Sequence, residues 1–365
     1  MHEDQLLSSY NFALPSELIA QEPPKNRGDS RLMVHDRKKG RATATLFSEL
    51  LRYLPAGVIV ANNSRVVPAR LIGKRENGGT GEILLTTPLP HIAGQTMQKN
   101  EEKTQQNNLY EARINCLVKS SKKIREGERI IFDENLSVQI MKKEGFECTG
   151  KLSWTGNLSE RLQLTGLIPL PPYIKRPITT DDALRYQTVY AAPDKNGSIA
   201  APTAGLHFTQ DMKEKMIAAG FQWVEVTLYV GYGTFNPVRC VNIADHIMHE
   251  EYVEITEESA QIIARAKEKK IPVISLGTTS ARTLEGVYTK RNAIEAFSGS
   301  TDIFLYPGKE LRVVDHLLTN FHLPKSTLLM LISAFAGRQA ILETYQKAIK
   351  ERFRFFSYGD AMLIL

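Results

Sequence analysis

"GEILLTT" (Gly81–Thr87), "YEARINCLV" (Tyr110–Val118), "ERIIFDE" (Glu128–Glu134) and "SVQIMKK" (Ser137–Lys143) decide the fold. Each is short and rich in aliphatic or β-branched residues. The turns "ENGG", "REGE" and "KKEG" fall among them. No long helical period interrupts the stretch from Leu71 to Trp154. Evenly spaced short strands bounded by turn residues predict a small antiparallel barrel or sandwich. Within it, "PLPHIAGQTMQKNEEKTQQNN" (Pro88–Asn108) is polar and poor in apolar residues. A mobile loop with little part in catalysis is expected there.

Outward from this stretch the texture changes. "RLMVHD" (Arg31–Asp36) and "GVIVANNS" (Gly57–Ser64) read as strands ended by polar turns. Beyond "LIPLPPYIKRP", "TQDMKEKMIAAG" (Thr209–Gly220) reads as a helix with a capping threonine and a terminal glycine. "FQWVEVTLYV" (Phe221–Val230) alternates, with Val224, Val226, Leu228 and Val230 on one face. A capped helix at Thr256–Lys270 leads to the buried-type strand "IPVISL" and then "GTTSARTLEGV" (Gly277–Val287). "DIFLYPG" (Asp302–Gly308) reads as a strand and turn, and Arg338–Phe353 as an amphipathic helix. Alternating strands and helices predict an α/β layer structure. The expected fold class is therefore mixed α/β, a mixed-sheet domain with an antiparallel β-barrel inserted. Residues 1–69 and 156–365 would form the discontinuous α/β catalytic domain and residues 70–155 the barrel. The 365 residues suit about two domains.

Composition bounds the function classes. With 42% hydrophobic and 24% charged residues the chain is globular. The longest apolar run, Leu328–Ala336, falls short of a membrane span. "MHEDQLLSSYNF" carries acids and no apolar core, so no secretory signal is expected. Cys116, Cys148 and Cys240 lie far apart in sequence, without a CxxC pair, which argues against a disulfide framework and a zinc cluster. A reduced, cytoplasmic, monomeric protein is expected. The net charge of +6 is mild but uneven. "DRKKGR" (Asp36–Arg41), "KSSKKIREGER" (Lys119–Arg129) and "YIKRP" (Tyr173–Pro177) concentrate the cations, as a surface for phosphate-rich partners would.

Several motifs have the chemistry of a site. "AAPTAGLHFT" (Ala200–Thr209) hangs His207 from a turn of small residues, with no helix expected before Thr209. "GTTS" (Gly277–Ser280) at a strand-to-helix turn exposes backbone N–H groups that suit a carboxylate, ribose or phosphate; Arg282 follows one turn later. "VGYGTF" (Val230–Phe235) is not the dinucleotide fingerprint G-x-G-x-x-G. "DHIMHEEY" (Asp245–Tyr252) offers His246, His249 and Glu251, but neither HExxH nor a third ligand cluster, so no metal is expected. "LLTNFHLPKSTLLMLISAFAG" (Leu317–Gly337) sets Asn320, His322 and Lys325 before an apolar helix, whose first turn suits Pro324. "RYQTVYA" (Arg185–Ala191) interleaves aromatics with Arg and Gln, which suits base stacking or an ordinary strand edge.

Taken together and in order, these stretches resemble the S-adenosylmethionine:tRNA ribosyltransferase-isomerase family of queuosine biosynthesis. "YNFALPSELIAQEPPKNRGDSRLMV", "TDIFLYPG" and "FRFFSYGDAMLIL" extend the resemblance over nearly all of the chain. It implies that the ribosyl part of S-adenosylmethionine moves onto 7-aminomethyl-7-deazaguanine (preQ1) at the tRNA wobble position. Isomerisation then gives epoxyqueuosine, and adenine and methionine leave. The sulfonium acidifies its neighbouring ribose carbon, so the enzyme needs a base there, an acid for adenine and a base for the attacking amine. No cofactor is implied, since S-adenosylmethionine is the ribosyl donor. The resemblance implies His207 and His322 as proton-transfer groups. Around them Thr203, Gly205, Phe208, Tyr186, Gln187, Gly231, Gly233, Thr278, Thr279, Arg282, Asn320, Tyr358 and Asp360 would bind substrate. Lys122, Lys123, Arg125, Lys175 and Arg176 would contact tRNA phosphates. Two rival readings are an S-adenosylmethionine-dependent RNA methyltransferase and a non-catalytic RNA-binding protein.

Overall fold

Strand Val58–Asn62 is apolar at both parities, which requires burial on both faces. In the computed structural model, which describes residues 3–94, 97–98, 108–120, 122–235 and 238–365, it has that setting. Val58 and Val60 enter one core, and Ile59 and Ala61 the opposite one. The strand sits inside a nine-stranded mixed sheet. Gln222–Leu228, Val58–Asn62, Val273–Leu276 and His316–Asn320 run parallel, in that order. Ala361–Ile364 pairs antiparallel with His316–Asn320 and parallel with Arg31–Asp36, so the two ends of the chain meet inside one sheet.

The second body is a closed ring of six antiparallel strands. Arg70–Arg75, Thr80–Leu85, Leu109–Ser120, Glu147–Thr155, Leu136–Glu144 and Arg129–Asp133 pair in sequence around it. Lys74↔Ile131 and Arg75↔Ile130 close the ring, leaving these strands no open edge. Leu71, Ile83, Ile114, Ile130, Val138, Ile140 and Leu152 fill the interior.

The structure departs from the sequence reading in five places. Part of Pro88–Asn108 is ordered: Leu89–Gly94 is a short helix whose Ile92 is buried in the barrel core, and Met97–Gln98 pairs with Leu109–Ser120. Buried Ile92 and partly buried Leu89 anchor it to the barrel core; residues 95–96 and 99–107 lie outside the described residues. Cys116 and Cys148, far apart in sequence, are register partners on adjacent barrel strands, both buried as free thiols. The strand expected at Asp302–Gly308 lies one step earlier, at Phe297–Thr301. A single 3-10 turn, Thr203–His207, precedes the helix Gln210–Ala218 that Thr209 caps. The apolar helix Thr327–Ala336 is capped by Ser326, whose Oγ accepts from Leu329 N at 3.2 Å, so Pro324 lies outside it. Among the described residues no helix is long and apolar enough to cross a membrane.

Candidate active site

In a parallel sheet the strand carboxyl ends are where ligands bind, because chain reversals leave backbone groups open there. Here the ends at Leu276 and Asn320 border a cavity of about 60 Å³. The turn after Leu276 is made by Gly277 at φ +89°, a left-handed position that glycine takes without strain. Helix Gly277–Arg291 begins at once, with no side-chain cap. Its amino-terminal N–H groups and the residues Thr278 and Thr279 border the cavity. Thr279 Oγ1 is buried without a hydrogen-bond partner. Thr203, Asn320 and His322 line the remaining polar part; Ala200, Val230, Phe321 and Leu328 are among the apolar walls.

His322 is 5% exposed. Burial pushes its pKa down to about 3, so its imidazole is neutral, with one N–H and one lone pair. Nε2 lies 3.0 Å from Thr319 Oγ1, and the backbone N donates to Tyr345 Oη at 2.9 Å. Nδ1 makes no hydrogen bond among the described residues. A neutral imidazole with a free nitrogen beside a cavity is equipped for proton transfer.

His207 has a different setting. It does not line the cavity, and both its ring nitrogens are engaged. Nδ1 lies 2.7 Å from Ser30 Oγ, and Nε2 lies 3.2 Å from Asn320 Nδ2. Burial and the charges of Arg354 and Arg27 push its pKa down to about 3. Phe208, expected among the substrate-binding residues, is fully buried and packs edge-on to Phe47 and Trp223 in the core. Gly205 is required by packing: a Cβ there would stand 2.0 Å from Tyr190 Oη.

A second, larger cavity of about 420 Å³ opens between the barrel and the sheet. Gly231, Gly233 and Tyr232 of "VGYG" border it, opposite Arg113, Asn115, Lys142 and Thr149 of the barrel. Val230 borders the small cavity and Gly231 the large one, so this segment is their shared wall. Glu251 lines the large cavity and pairs with buried Arg282; its Oε1 also accepts from Gly231 N at 3.0 Å. Arg282 keeps Nε and Nη2 buried and unpartnered among the described residues. Among the described residues no group of three or more His, Cys, Asp or Glu is placed to hold a metal.

The other expected residues stand apart from the small cavity. Gln187 clamps the backbone of Val66 through both amide atoms, at 3.0 and 3.2 Å. Tyr186 stacks edge-on to Tyr358, whose hydroxyl donates to Asp182 at 3.2 Å. Asp360 accepts from the backbone N of Arg31 and of Arg354. The Arg176 guanidinium is committed to Asp182 at 2.6 and 2.7 Å and to Gln21 O at 3.1 Å, which holds Asp182 down to about 2. Lys122, Lys123, Arg125 and Lys175 are exposed.

The chain matches the family described as "Queuosine biosynthesis protein" over residues 7–364. It belongs to that family. A relative from Nitratidesulfovibrio vulgaris strain Hildenborough, called S-adenosylmethionine:tRNA ribosyltransferase-isomerase, is 51% identical over 99% of this chain and 98% of its own. One of the same name from Oleidesulfovibrio alaskensis is 50% identical over 100% of this chain and 94% of its own. The crystal structure of the S-adenosylmethionine tRNA ribosyltransferase from Thermotoga maritima is 34% identical, with a TM-score of 0.54 over 98% of this chain and all of that one.

Within this queuosine-family fold, four neighbours of the site escaped the sequence reading. Ser30 and Thr319 touch the two histidines, Phe356 lines the small cavity, and Tyr345 anchors the backbone of His322. Ser30 and Phe356 come from segments more than 100 residues from either His207 or from one another, so no local motif signals them. Thr319, three residues before His322, was within reach of a local reading.

Proposed function

We infer that the chain transfers and isomerises the ribosyl moiety of S-adenosylmethionine onto preQ1 at the tRNA wobble position, releasing adenine and methionine. The observation that carries the reading is the small cavity at the parallel strand ends. There a neutral His322 stands across from the amino terminus of Gly277–Arg291. The cavity, of about 60 Å³, suits a small polar group rather than a whole nucleoside. The ribosyl group occupies it, with His322 exchanging the proton that ring chemistry requires. Thr278, Thr279 and the helix N–H groups donate to its oxygens. Arg282, one turn further along that helix, borders neither cavity itself and anchors the helix to Glu251 on the wall of the large one. The large cavity, with Arg113 and Lys142 on its barrel wall, admits the tRNA nucleoside, unstacked from its neighbours.

The test uses S-adenosylmethionine labelled separately in ribose and methyl, with tRNA carrying preQ1. Ribose label on tRNA with adenine release is expected. Methyl label on tRNA would select the methyltransferase, and binding without either transfer would leave an RNA-binding protein.

A further inference from the structure

One amide is held by two fixed partners, and their chemistry leaves a single atom open. Asn320 Nδ2 lies 3.1 Å from Phe356 O, which only accepts. The side chain must therefore present its NH2 group, not its carbonyl, to Phe356. The same NH2 lies 3.2 Å from His207 Nε2. Both amide protons are thereby assigned, one to Phe356 O and one to His207. Nε2 must then carry the lone pair and Nδ1 the proton, which it donates to Ser30 Oγ at 2.7 Å. Burial keeps the ring in this neutral form well below neutral pH. What remains is Asn320 Oδ1. Asn320 is 2% exposed and lines the small cavity, and Oδ1 accepts from no donor among the described residues. Thr279 Oγ1, on the same cavity, is likewise unpartnered.

A buried acceptor without a donor costs stability unless a ligand supplies one. The partner must be a hydrogen-bond donor small enough for this cavity. A vicinal diol has the chemistry both open atoms lack, one hydroxyl to donate to an obligate acceptor and another to pair with a hydroxyl. We propose, building on the ribosyl-transfer reading above, that Asn320 Oδ1 accepts from a ribose hydroxyl of S-adenosylmethionine, and that His207 is a positioning residue that locks the Asn320 amide in that orientation. Ser30, His207 and Asn320 then act as one relay of orientation from the start of strand Arg31–Asp36 to the end of strand His316–Asn320. No proton moves through it.

The first measurement needs no variant. Equilibrium dissociation constants are taken for S-adenosylmethionine and for its 2′-deoxy and 3′-deoxy ribose analogues. One deoxy analogue should bind roughly 10-fold or more weakly, because it strands a buried acceptor. Equal binding of all three with normal ribosyl transfer overturns the proposal and leaves the reaction intact. Discrimination without ribosyl transfer to tRNA overturns the reaction and leaves the hydroxyl contact standing. Failure to bind S-adenosylmethionine overturns both.

The second measurement separates positioning from chemistry. His207→Gln keeps an acceptor within reach of the Nε2 position but cannot titrate. It should retain kcat within a few-fold, the same kcat–pH profile and the same discrimination among the analogues, while His207→Ala and Asn320→Ala lose that discrimination. A fall in kcat of about 100-fold in folded His207→Gln, with discrimination unchanged, would make His207 itself the proton-transfer group.

Discussion

The ends of the parallel strands and the barrel solve the same problem, buried polar groups, in opposite ways. At the strand ends the polar groups are left open. Thr279 Oγ1, Asn320 Oδ1 and two nitrogens of Arg282 are buried without partners among the described residues. Between residues 70 and 155 no buried side-chain polar atom is left so, among the described residues. Arg75 shows how: its guanidinium meets both oxygens of Glu128, at 2.6 and 2.8 Å, and the carbonyls of Lys122 and Lys123. Native folds satisfy buried polar groups wherever they can, so a local excess of open ones marks a ligand's place. The difference teaches that the barrel is built for shape and the strand ends for chemistry.

The contrast breaks first at His322. His322→Ala should lower ribosyl transfer by about 100-fold or more while thermal unfolding stays cooperative. Near-normal turnover in folded protein would move the chemistry away from the small cavity.

Two buried arginines sharpen it. Arg282→Ala removes the charged partner of Glu251, itself 5% exposed, and should cost about 3–5 kcal/mol in urea unfolding. It should also weaken S-adenosylmethionine binding. Arg75→Ala should cost less, about 1–3 kcal/mol, because the side chain of Glu128 already reaches solvent at 12%. It should leave S-adenosylmethionine affinity unchanged. If both variants weakened that affinity equally, the two regions would not differ in function.

Legibility in the sequence follows the same division. The barrel could be read because its strands are consecutive and its turns are marked by Gly127 and Gly145, both at positive φ. Closure through Lys74↔Ile131 was not legible, since register depends on partners distant in sequence. At the strand ends, "GTTS" and "NFH" were legible as polar turns; that Gly277, Thr278, Thr279 and Asn320 to His322 border one cavity was not. The opposing orientations of His207 and His322 were not legible. A histidine on a turn of small residues looks the same in sequence whether its ring faces a cavity or, as here, Ser30 from 177 residues away. Arg176 misled for a related reason: a cation beside prolines reads as surface until Asp182 folds back onto it.

The buried histidines predict an acid response. Unfolded histidine titrates near 6.5, and both His207 and His322 are held down to about 3. Between these values the unfolded chain binds more protons than the native one, so stability falls as pH drops from about 6.5 toward 3. Each histidine contributes up to about 1.4 kcal/mol per pH unit in that window. His207→Gln should remove one such contribution from the slope of unfolding free energy against pH. An unchanged slope would mean that His207 is protonated in the native state, with both ring nitrogens donors, which would remove the Nε2 acceptor assigned through Asn320.

The smallest expected effect belongs to the barrel surface. Lys122 and Lys123 are exposed, and Arg75 holds their carbonyls at 3.0 and 3.2 Å, so their side chains project from a pinned backbone. Fixed cations order little on binding, which favours phosphate contact over mere solubility. Each true contact releases counterions, so Lys122→Ala with Lys123→Ala should weaken tRNA binding and reduce its salt slope by roughly 0.7–0.9 per lost contact. Affinity for S-adenosylmethionine should not change, because neither lysine borders either cavity. Lys175→Ala tests the second patch alone; Arg176→Ala would unpair Asp182 and report on folding instead. If the lysine pair left both affinity and slope unaltered, the barrel would lose its role as a tRNA platform. The exposed cations of "DRKKGR" beside the far edge of the sheet would then be the next surface to neutralise.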